Sequence, residues 1–169
     1  MGIRLFNLTF IILTLTFISI KTSPLNISNY SYPNPNDPSK YYIAILSVND
    51  IHGVYFPSTT TYLDKTNVTS YYESGGLDYL GKYISILKQE WGDRFIFLDA
   101  GDQFQGGIET KISNGDLITD FYNIMNLTAA TFGNHEWDEG YEYLDTRLHK
   151  SNFPYLACNI MNTTSNQTE

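Results

Sequence analysis

Three short polar clusters contain the residues of this chain that could carry out metal-dependent chemistry. They are residues 49–53 (NDIHG), 101–107 (GDQFQGG) and 133–138 (GNHEWD). Their carboxylates, imidazoles and amide are the oxygen and nitrogen ligands that divalent ions such as zinc, manganese or iron accept. Buried together without cations, such side chains would be costly to desolvate. The clusters taken together therefore favour a metal site over three ordinary polar turns.

The first two clusters offer candidate metal ligands. Asp50 and His52 are two residues apart at the predicted end of a strand, so their side chains can point to the same side. Asp102 follows Gly101, which permits a sharp turn, and its carboxylate could bridge two cations. Alone, either cluster would be explained as well by a turn or by chance.

The third cluster is the most specific of the three. Asn134 offers a neutral carbonyl oxygen to a cation, and His135 beside it can donate a hydrogen bond or a proton to a substrate oxygen. Asp138, three residues on, can orient that imidazole and keep it protonated. This arrangement predicts an acid that acts next to a metal ligand.

The surrounding pattern predicts elements that would bring the clusters together. Apolar runs predict buried strands over residues 42–48, 95–98, 129–132 and 153–160. Helical spacing predicts one helix over about 76–91, one marked by Leu117, Phe121, Ile124 and Met125, and one marked by Tyr141, Leu144 and Leu148. Residues 56–74 show no clear period and are expected to form a surface loop.

Strands that alternate with helices imply an α/β fold with a mainly parallel sheet and helices outside it. Each polar cluster follows a predicted strand. Ligands of such sheets bind beyond the carboxyl ends of the strands, so we expect the three clusters at one edge.

Composition limits the classes of partner. The 169 residues are 42% hydrophobic and 15% aromatic, which suits one packed domain or part of one. The net charge of −8 argues against a nucleic-acid duplex or an anionic membrane surface as partner. It does not argue against a phosphorylated small molecule, because bound cations can supply positive charge. The single cysteine, Cys158, cannot form an internal disulfide and is expected to be a buried small hydrophobe.

Together the motifs NDIHG, GDQFQG and GNHEWD resemble those of the calcineurin-like metallophosphoesterases, and within them the 5′-nucleotidase branch. The resemblance runs from about residue 41 to residue 160 and implies part of a four-layer α/β/β/α domain, truncated before its second half. It implies two divalent metal ions (Zn²⁺, Mn²⁺ or similar). Asp50 and His52 would hold the first ion, Asp102 would bridge both, and Asn134 would hold the second. His135, with Asp138 as its partner, would meet the phosphate or the leaving oxygen.

The resemblance also implies a function. A metal-dependent phosphoric ester hydrolase is expected, with nucleoside 5′-monophosphates as the leading substrate. Two alternatives stay open: a nucleotide-sugar or cyclic-nucleotide phosphodiesterase, and a secreted binding glycoprotein without catalysis on the same scaffold. The further histidines and the nucleoside-binding domain of the family are not found in these 169 residues. We therefore expect a fragment that binds metal weakly and hydrolyses AMP negligibly by itself.

The flanking segments suggest a secreted protein. Residues 1–23 resemble a signal peptide, or an uncleaved anchor, and residues 24–40 form a linker rich in proline and asparagine. The domain would occupy residues 41–160, followed by a polar tail over 161–169. A location outside the cell or on the extracellular face of the membrane is expected, with membrane contact only through that anchor or one in a missing carboxy-terminal part. Glycosylation sequons begin at Asn26, Asn29, Asn67, Asn162 and Asn166, whereas Asn126 is expected to be too buried for modification.

Overall fold

The computed structural model describes residues 8–14, 41–63, 65, 67–162 and 167–168. Its strands are β1 (Leu8–Thr14), β2 (Tyr41–Val48), β3 (Ser58–Leu63), β4 (Thr69–Ser74), β5 (Phe95–Asp99), β6 (Ala129–Ala130), β7 (Met161–Asn162) and β8 (Gln167–Thr168). Its α-helices are α1 (Leu77–Trp91), α2 (Ile108–Ser113), α3 (Asp116–Ile124) and α4 (Tyr141–Lys150).

A parallel sheet with the strand order β1-β2-β5-β6 forms the centre of the fold. Because all four strands run in the same direction, the segments that follow β2, β5 and β6 leave the sheet at one edge. Those segments are the three polar clusters. The predicted α/β class with a parallel sheet is confirmed.

The helices pack on the sheet through side chains at helical spacing. In α1 the buried positions are Leu80, Ile84, Leu87 and Trp91, which form one stripe of the helix. The helix ends at Gly92, whose φ of 55° suits a residue without a Cβ. The amphipathic pattern therefore fixes which face of α1 meets the core.

The helices α3 and α4 complete the core next to α1. Ile118 and Tyr122 of α3 and Leu144 of α4 are fully buried. The ring of Tyr122 meets Phe97 of β5 edge-on, with 5.8 Å between ring centroids, and meets Phe153 in the same way at 5.9 Å. This packing anchors the strand that leads into the second polar cluster.

Two local predictions were wrong. Residues 58–74 contain an antiparallel hairpin of β3 and β4, where a loop was expected. Its side chains are mostly exposed on both faces, so no alternation of apolar and polar residues marks it, and only its threonines and tyrosines favoured strands. The expected strand over 153–160 is reduced to a single bridge between Ala130 and Tyr155. Pro154 has no N–H group to donate to a longer ladder.

Two predictions of burial were also wrong. Asn126 and Cys158 are both exposed. The predicted signal peptide and linker, residues 1–40, lie mainly outside the described residues. Of the predicted signal peptide and linker, the structure describes only residues 8–14, which form β1 beside β2. Within the described residues, none of the helices has the length and apolar character to cross a membrane.

A buried carboxylate ends strand β5. Asp99 is 3% exposed, and its Oδ1 accepts hydrogen bonds from the Gly101 N–H at 2.7 Å and from the Gln103 side-chain amide at 2.9 Å. Its Oδ2 accepts a hydrogen bond from the Tyr122 hydroxyl. Burial raises the pKa of Asp99 to about 7, although these three hydrogen bonds oppose that change.

The raised pKa of Asp99 predicts a pH dependence of stability. The folded chain keeps the Asp99 proton up to about pH 7, whereas an unfolded aspartate loses it near pH 4. The resulting stabilisation is full below about pH 4 and is lost as the pH rises through about 7. Urea unfolding from pH 5 to 8 with chelator present should show a loss of about 3 kcal/mol in wild type relative to Asp99→Asn.

The exposed Asp93, changed to asparagine, is the matched control and should follow the wild-type profile. Parallel profiles for wild type and Asp99→Asn would contradict the assignment of a proton to Asp99.

Candidate metal centre

The first two polar clusters continue the pairing of β2 with β5 beyond the ends of both strands. The backbone N–H of Asp50 donates to the Gly101 carbonyl at 3.0 Å, and that of His52 donates to the Asp102 carbonyl at 3.1 Å. These bonds hold the two loops side by side. As a result, Asp50 and His52 lie on a loop next to the loop of Asp102, although Asp50 and Asp102 are far apart in sequence.

Three of the predicted site residues have a left-handed backbone conformation. The φ values are 53° for Asp50, 48° for His52 and 60° for Asp102. Residues other than glycine rarely adopt this region, and each such residue costs of order 1 kcal/mol or more. These three are half of the six described non-glycine residues with a positive φ, and the other three are Asn67, Asn114 and Asn126.

The side chain of His52 is oriented by the second loop. Its Nδ1 lies 3.0 Å from the backbone carbonyl of Gln105. A carbonyl can only accept, so Nδ1 must carry a proton, and in the neutral ring Nε2 keeps its lone pair. Nε2 lies 3.5 Å from Oδ1 of Asp50, which puts these two predicted ligands of the first ion in contact. The hydrogen bond from Nδ1 to the Gln105 carbonyl is the kind of bond that usually orients a metal-binding histidine.

The third cluster meets the second at Asp102. The backbone N–H of His135 donates to Oδ1 of Asp102 at 3.0 Å. A Cβ atom added at Gly133 would lie 2.1 Å from the same oxygen, so only glycine allows this approach. The Asp102 carboxylate therefore stands at the meeting point of the second and third loops.

The pair of His135 and Asp138 forms one hydrogen-bonded unit. Nδ1 of His135 lies 2.7 Å from Oδ2 of Asp138. This hydrogen bond is the main cause that raises the pKa of His135, and it is also the main cause that lowers the pKa of Asp138. The rings of His135 and His52 meet edge-to-face, with 5.1 Å between centroids. Both imidazoles thus share one small region at the edge of the sheet.

Three potential ligand groups form a cluster in this region. Ligand atoms of His52, Asp102 and His135 all lie within 4.8 Å of one another, and all three side chains are half-buried. Asp50 joins them through His52. Asn134 is exposed and stands directly before the 3₁₀ turn His135–Trp137. Carboxylates together with an imidazole whose Nδ1 is already engaged fit a divalent cation chemically. The part that each residue plays in holding an ion stays a prediction.

Sequence reasoning missed Glu136. It is 1% exposed, and its carboxylate accepts three backbone N–H groups. Oε2 accepts from Asp102 at 3.0 Å and from Gly133 at 2.6 Å, while Oε1 accepts from Gln103 at 2.6 Å. One side chain thus ties the second loop to the third. The sequence indicates a role for its neighbour His135, but it does not show which backbone groups lie opposite Glu136.

Comparisons with known proteins identify the family of this chain. Residues 43–168 match the family model for calcineurin-like phosphoesterases. The chain belongs to this family. It is 36% identical over 123 residues to mouse 5′-nucleotidase, and the match covers 72% of this chain and 21% of the mouse protein. It is 34% identical over 119 residues to the venom 5′-nucleotidase of Gloydius brevicauda, which covers 70% of this chain and 20% of that protein.

Solved structures give the same result for the fold. The NAD nucleotidase of Haemophilus influenzae superposes with a TM-score of 0.65 at 26% identity, covering 72% of this chain and 21% of that one. The chain therefore spans about a fifth of the length of these relatives. Calcineurin-like phosphoesterases use divalent metals, and His52, Asp102 and His135 place three groups of the kind that bind such ions within 4.8 Å of one another.

The contacts of Glu136 predict that its charge stabilises the fold. Glu136→Gln replaces one accepting oxygen by an NH₂ group that faces backbone donors, so the free energy of unfolding should fall by about 2–4 kcal/mol. Urea unfolding measures this change, and amide hydrogen exchange should accelerate at Asp102, Gln103 and Gly133. Glu90→Gln, at an exposed position of α1, is the matched control and should change little. Equal stability of the two variants would show that Glu136 is not the tie between the loops.

Proposed function

We propose that this chain provides part of the active site of a phosphomonoesterase that releases phosphate from nucleoside 5′-monophosphates. The observation that carries the proposal is the cluster of His52, Asp102 and His135, whose ligand atoms lie within 4.8 Å of one another at the carboxyl edge of the sheet. Its relatives named 5′-nucleotidase, at up to 44% identity over a shorter stretch in cattle, supply the substrate class.

Two divalent cations, zinc, manganese or similar, would be held by Asp50 and His52 on one side and Asn134 on the other, with Asp102 shared. Such cations polarise phosphoryl oxygens and make water a stronger nucleophile. The chain's own contribution is orientation. The Gln105 carbonyl fixes His52 so that Nε2 remains the available atom, and the His135 N–H fixes one oxygen of Asp102.

The electrostatics of the site support this assignment. The carboxylates of Asp50, Asp102 and Asp138 stand at one edge of a chain with a net charge of −8. A phosphate ester is itself anionic and would be repelled by such a surface. Cations between the carboxylates and the phosphate would reverse this repulsion, which is why the acidic site favours a metal-dependent phosphoesterase.

His135 is the residue that we assign to the leaving group. Its Nδ1 is occupied by Asp138, so Nε2 is the atom that can donate a proton to the alkoxide that leaves phosphorus. The raised pKa of His135 favours the protonated ring that this step requires. After the transfer, Asp138 would keep the neutral ring in the same orientation.

Secretion is a separate proposal. It is supported by a relative described as a snake venom enzyme and by the sequon at Asn67, which lies exposed at the turn between β3 and β4. Expression in a secreting eukaryotic cell, followed by glycosidase digestion, should give a mass shift that Asn67→Gln reduces. A chain retained in the cytosol without glycans would contradict this localisation.

The proposed ligand set predicts how metal binding responds to substitution. We expect the 169-residue chain to bind Mn²⁺ weakly, because Asp102 is shared between the two ions and the second ion then has only two protein ligands, fewer than the three usual at catalytic zinc sites. Asp102→Ala should weaken binding by at least about tenfold in titration calorimetry, since one carboxylate serves both ions. The exposed Asp93→Ala is the control. Identical isotherms for Asp102→Ala and wild type would exclude Asp102 as a ligand.

Catalysis is best tested in a complete enzyme, since the chain by itself is expected to hydrolyse AMP negligibly. The 123 residues that match mouse 5′-nucleotidase can replace the corresponding segment of that enzyme. The chimera should hydrolyse AMP, and His135→Ala should lower kcat by about 10²–10⁴. The exposed His149→Ala should leave kcat unchanged.

The same chimera distinguishes the alternatives. Its substrate panel should include a cyclic nucleotide, a nucleotide sugar, and ATP and ADP, because a relative at 28% identity over 133 residues is named apyrase in Aedes albopictus. Turnover restricted to the diesters would overturn the nucleotidase proposal. AMP binding without turnover would favour the non-catalytic alternative.

A further inference from the structure

Gln105 contacts both halves of the candidate site. Its backbone carbonyl accepts the hydrogen bond from Nδ1 of His52 at 3.0 Å. Its side-chain Nε2 donates to Oδ2 of Asp138 at 3.0 Å. One residue of the second loop is therefore bonded to a predicted metal ligand on one side and to the partner of the predicted acid on the other.

The contact with Asp138 falls on a functionally important atom. Oδ2 of Asp138 is the same oxygen that lies 2.7 Å from Nδ1 of His135. The Asp138 side chain is 35% exposed, so water competes for this oxygen and the carboxylate could turn. A second donor at Oδ2 restricts that rotation, and the restriction passes to the ring of His135. The Gln105 hydrogen bond is also one of the causes that keep the pKa of Asp138 low.

The backbone around Gln105 is held in place by the first loop. A Cβ atom added at Gly106, whose φ is 140°, would lie 2.2 Å from the carbonyl oxygen of His52. The Gly107 N–H donates to that same oxygen at 3.3 Å. Close packing on His52 therefore restricts the backbone next to Gln105, and with it the direction of the Gln105 carbonyl.

We infer that Gln105 is a positioning residue, which orients His135 through Asp138 and His52 through its own carbonyl, and so couples the proton donor to the metal side of the site. The catalytic meaning of this inference rests on the proposed function, whereas the orientation of the rings does not. Gln105 acts through other residues and needs no direct contact with the substrate or an ion.

The three histidines of the chain allow a direct test. Nitrogen-15 spectra of the imidazoles, recorded on the full chain near pH 8.5 with chelator, report which ring nitrogen carries the proton. The Nδ1 contacts of His52, His135 and His149 predict that all three rings are protonated on Nδ1 in wild type. Substitution of each histidine by glutamine assigns the signals.

Gln105→Ala should change the nitrogen-15 signals of His135 and leave those of His52 and His149 unchanged. The His135 signals should move toward a mixture of the two tautomers, in the direction and up to the extent seen for Asp138→Ala. His52 should not move, because alanine keeps the backbone carbonyl, and His149 is distant. Gln89→Ala, at an exposed position of α1, should leave all three rings unchanged. Equal thermal melting of Gln105→Ala and wild type would show that the fold is intact.

Two outcomes would overturn the inference. One is a His135 ring that does not respond to Gln105→Ala, whether or not Asp138→Ala alters it. The other is a loss of Mn²⁺ affinity of about tenfold or more in Gln105→Ala. Such a loss would indicate that the Gln105 side chain itself binds the ion. Gln105→Glu provides a second variant. It places a carboxylate against Asp138 and should disturb His135 at least as strongly as alanine does.

The chimera with mouse 5′-nucleotidase tests the catalytic meaning. Gln105→Ala should lower kcat for AMP about tenfold and leave KM unchanged, because positioning acts on the proton transfer and not on substrate binding. A raised KM with unchanged kcat would contradict a positioning role. A chimera without any activity would reject the proposed function, and the imidazole spectra would still decide the role of Gln105.

Discussion

The arrangement of this site depends on a single buried carboxylate. The parallel sheet fixes the points at which its strands end, and continued backbone pairing holds the first loop beside the second, but neither fixes the third loop relative to the second. Glu136 does so, because its two oxygens accept N–H groups from Asp102, Gln103 and Gly133. In the folded chain one carboxylate takes the place of the water that these three N–H groups would otherwise bind. A charged acceptor gives stronger hydrogen bonds than a neutral one. Two loops remote in sequence thereby become one rigid unit.

A second buried carboxylate supports the same loop from below. Asp99 accepts from the Gly101 N–H and from the side chain of Gln103, which are the two neighbours of Asp102. Asp102 itself has a φ of 60°, a conformation that the isolated chain would rarely populate. Hydrogen bonds from both sides offset that strain. Buried polar contacts next to the site therefore offset the strain of the Asp102 backbone. One of them is the hydrogen bond from Tyr122 to Asp99, which depends on the position of Tyr122 in the core.

The sequence predicted those parts of the fold that depend on local pattern. The strands β2 and β5 are continuous apolar runs and the helix α1 carries apolar residues at helical spacing, so the positions of all three could be derived from local pattern. The β3–β4 hairpin buries neither face, and the exposure of Asn126 depends on where α3 ends relative to the sheet. Neither leaves a periodic signal. For the site, residue types and order gave the candidate ligands, because metal chemistry selects a few side chains. The supporting contacts of Glu136 involve backbone groups, which look the same at every position of a sequence.

The four carboxylates of the site separate into two pairs according to what surrounds their oxygens. Glu136 is enclosed by three backbone donors. Asp138 receives His135 and Gln105 on one oxygen. Asp50 and Asp102 accept fewer hydrogen bonds. Asp50 accepts one from the Asn49 side-chain amide on Oδ2, and its Oδ1 lies 3.5 Å from Nε2 of His52. Asp102 accepts the His135 N–H on Oδ1. Carboxylate oxygens whose lone pairs already accept hydrogen bonds have less capacity to bind a cation than oxygens with available lone pairs. This distribution of hydrogen bonds supports the proposed role of Asp50 and Asp102 as metal ligands.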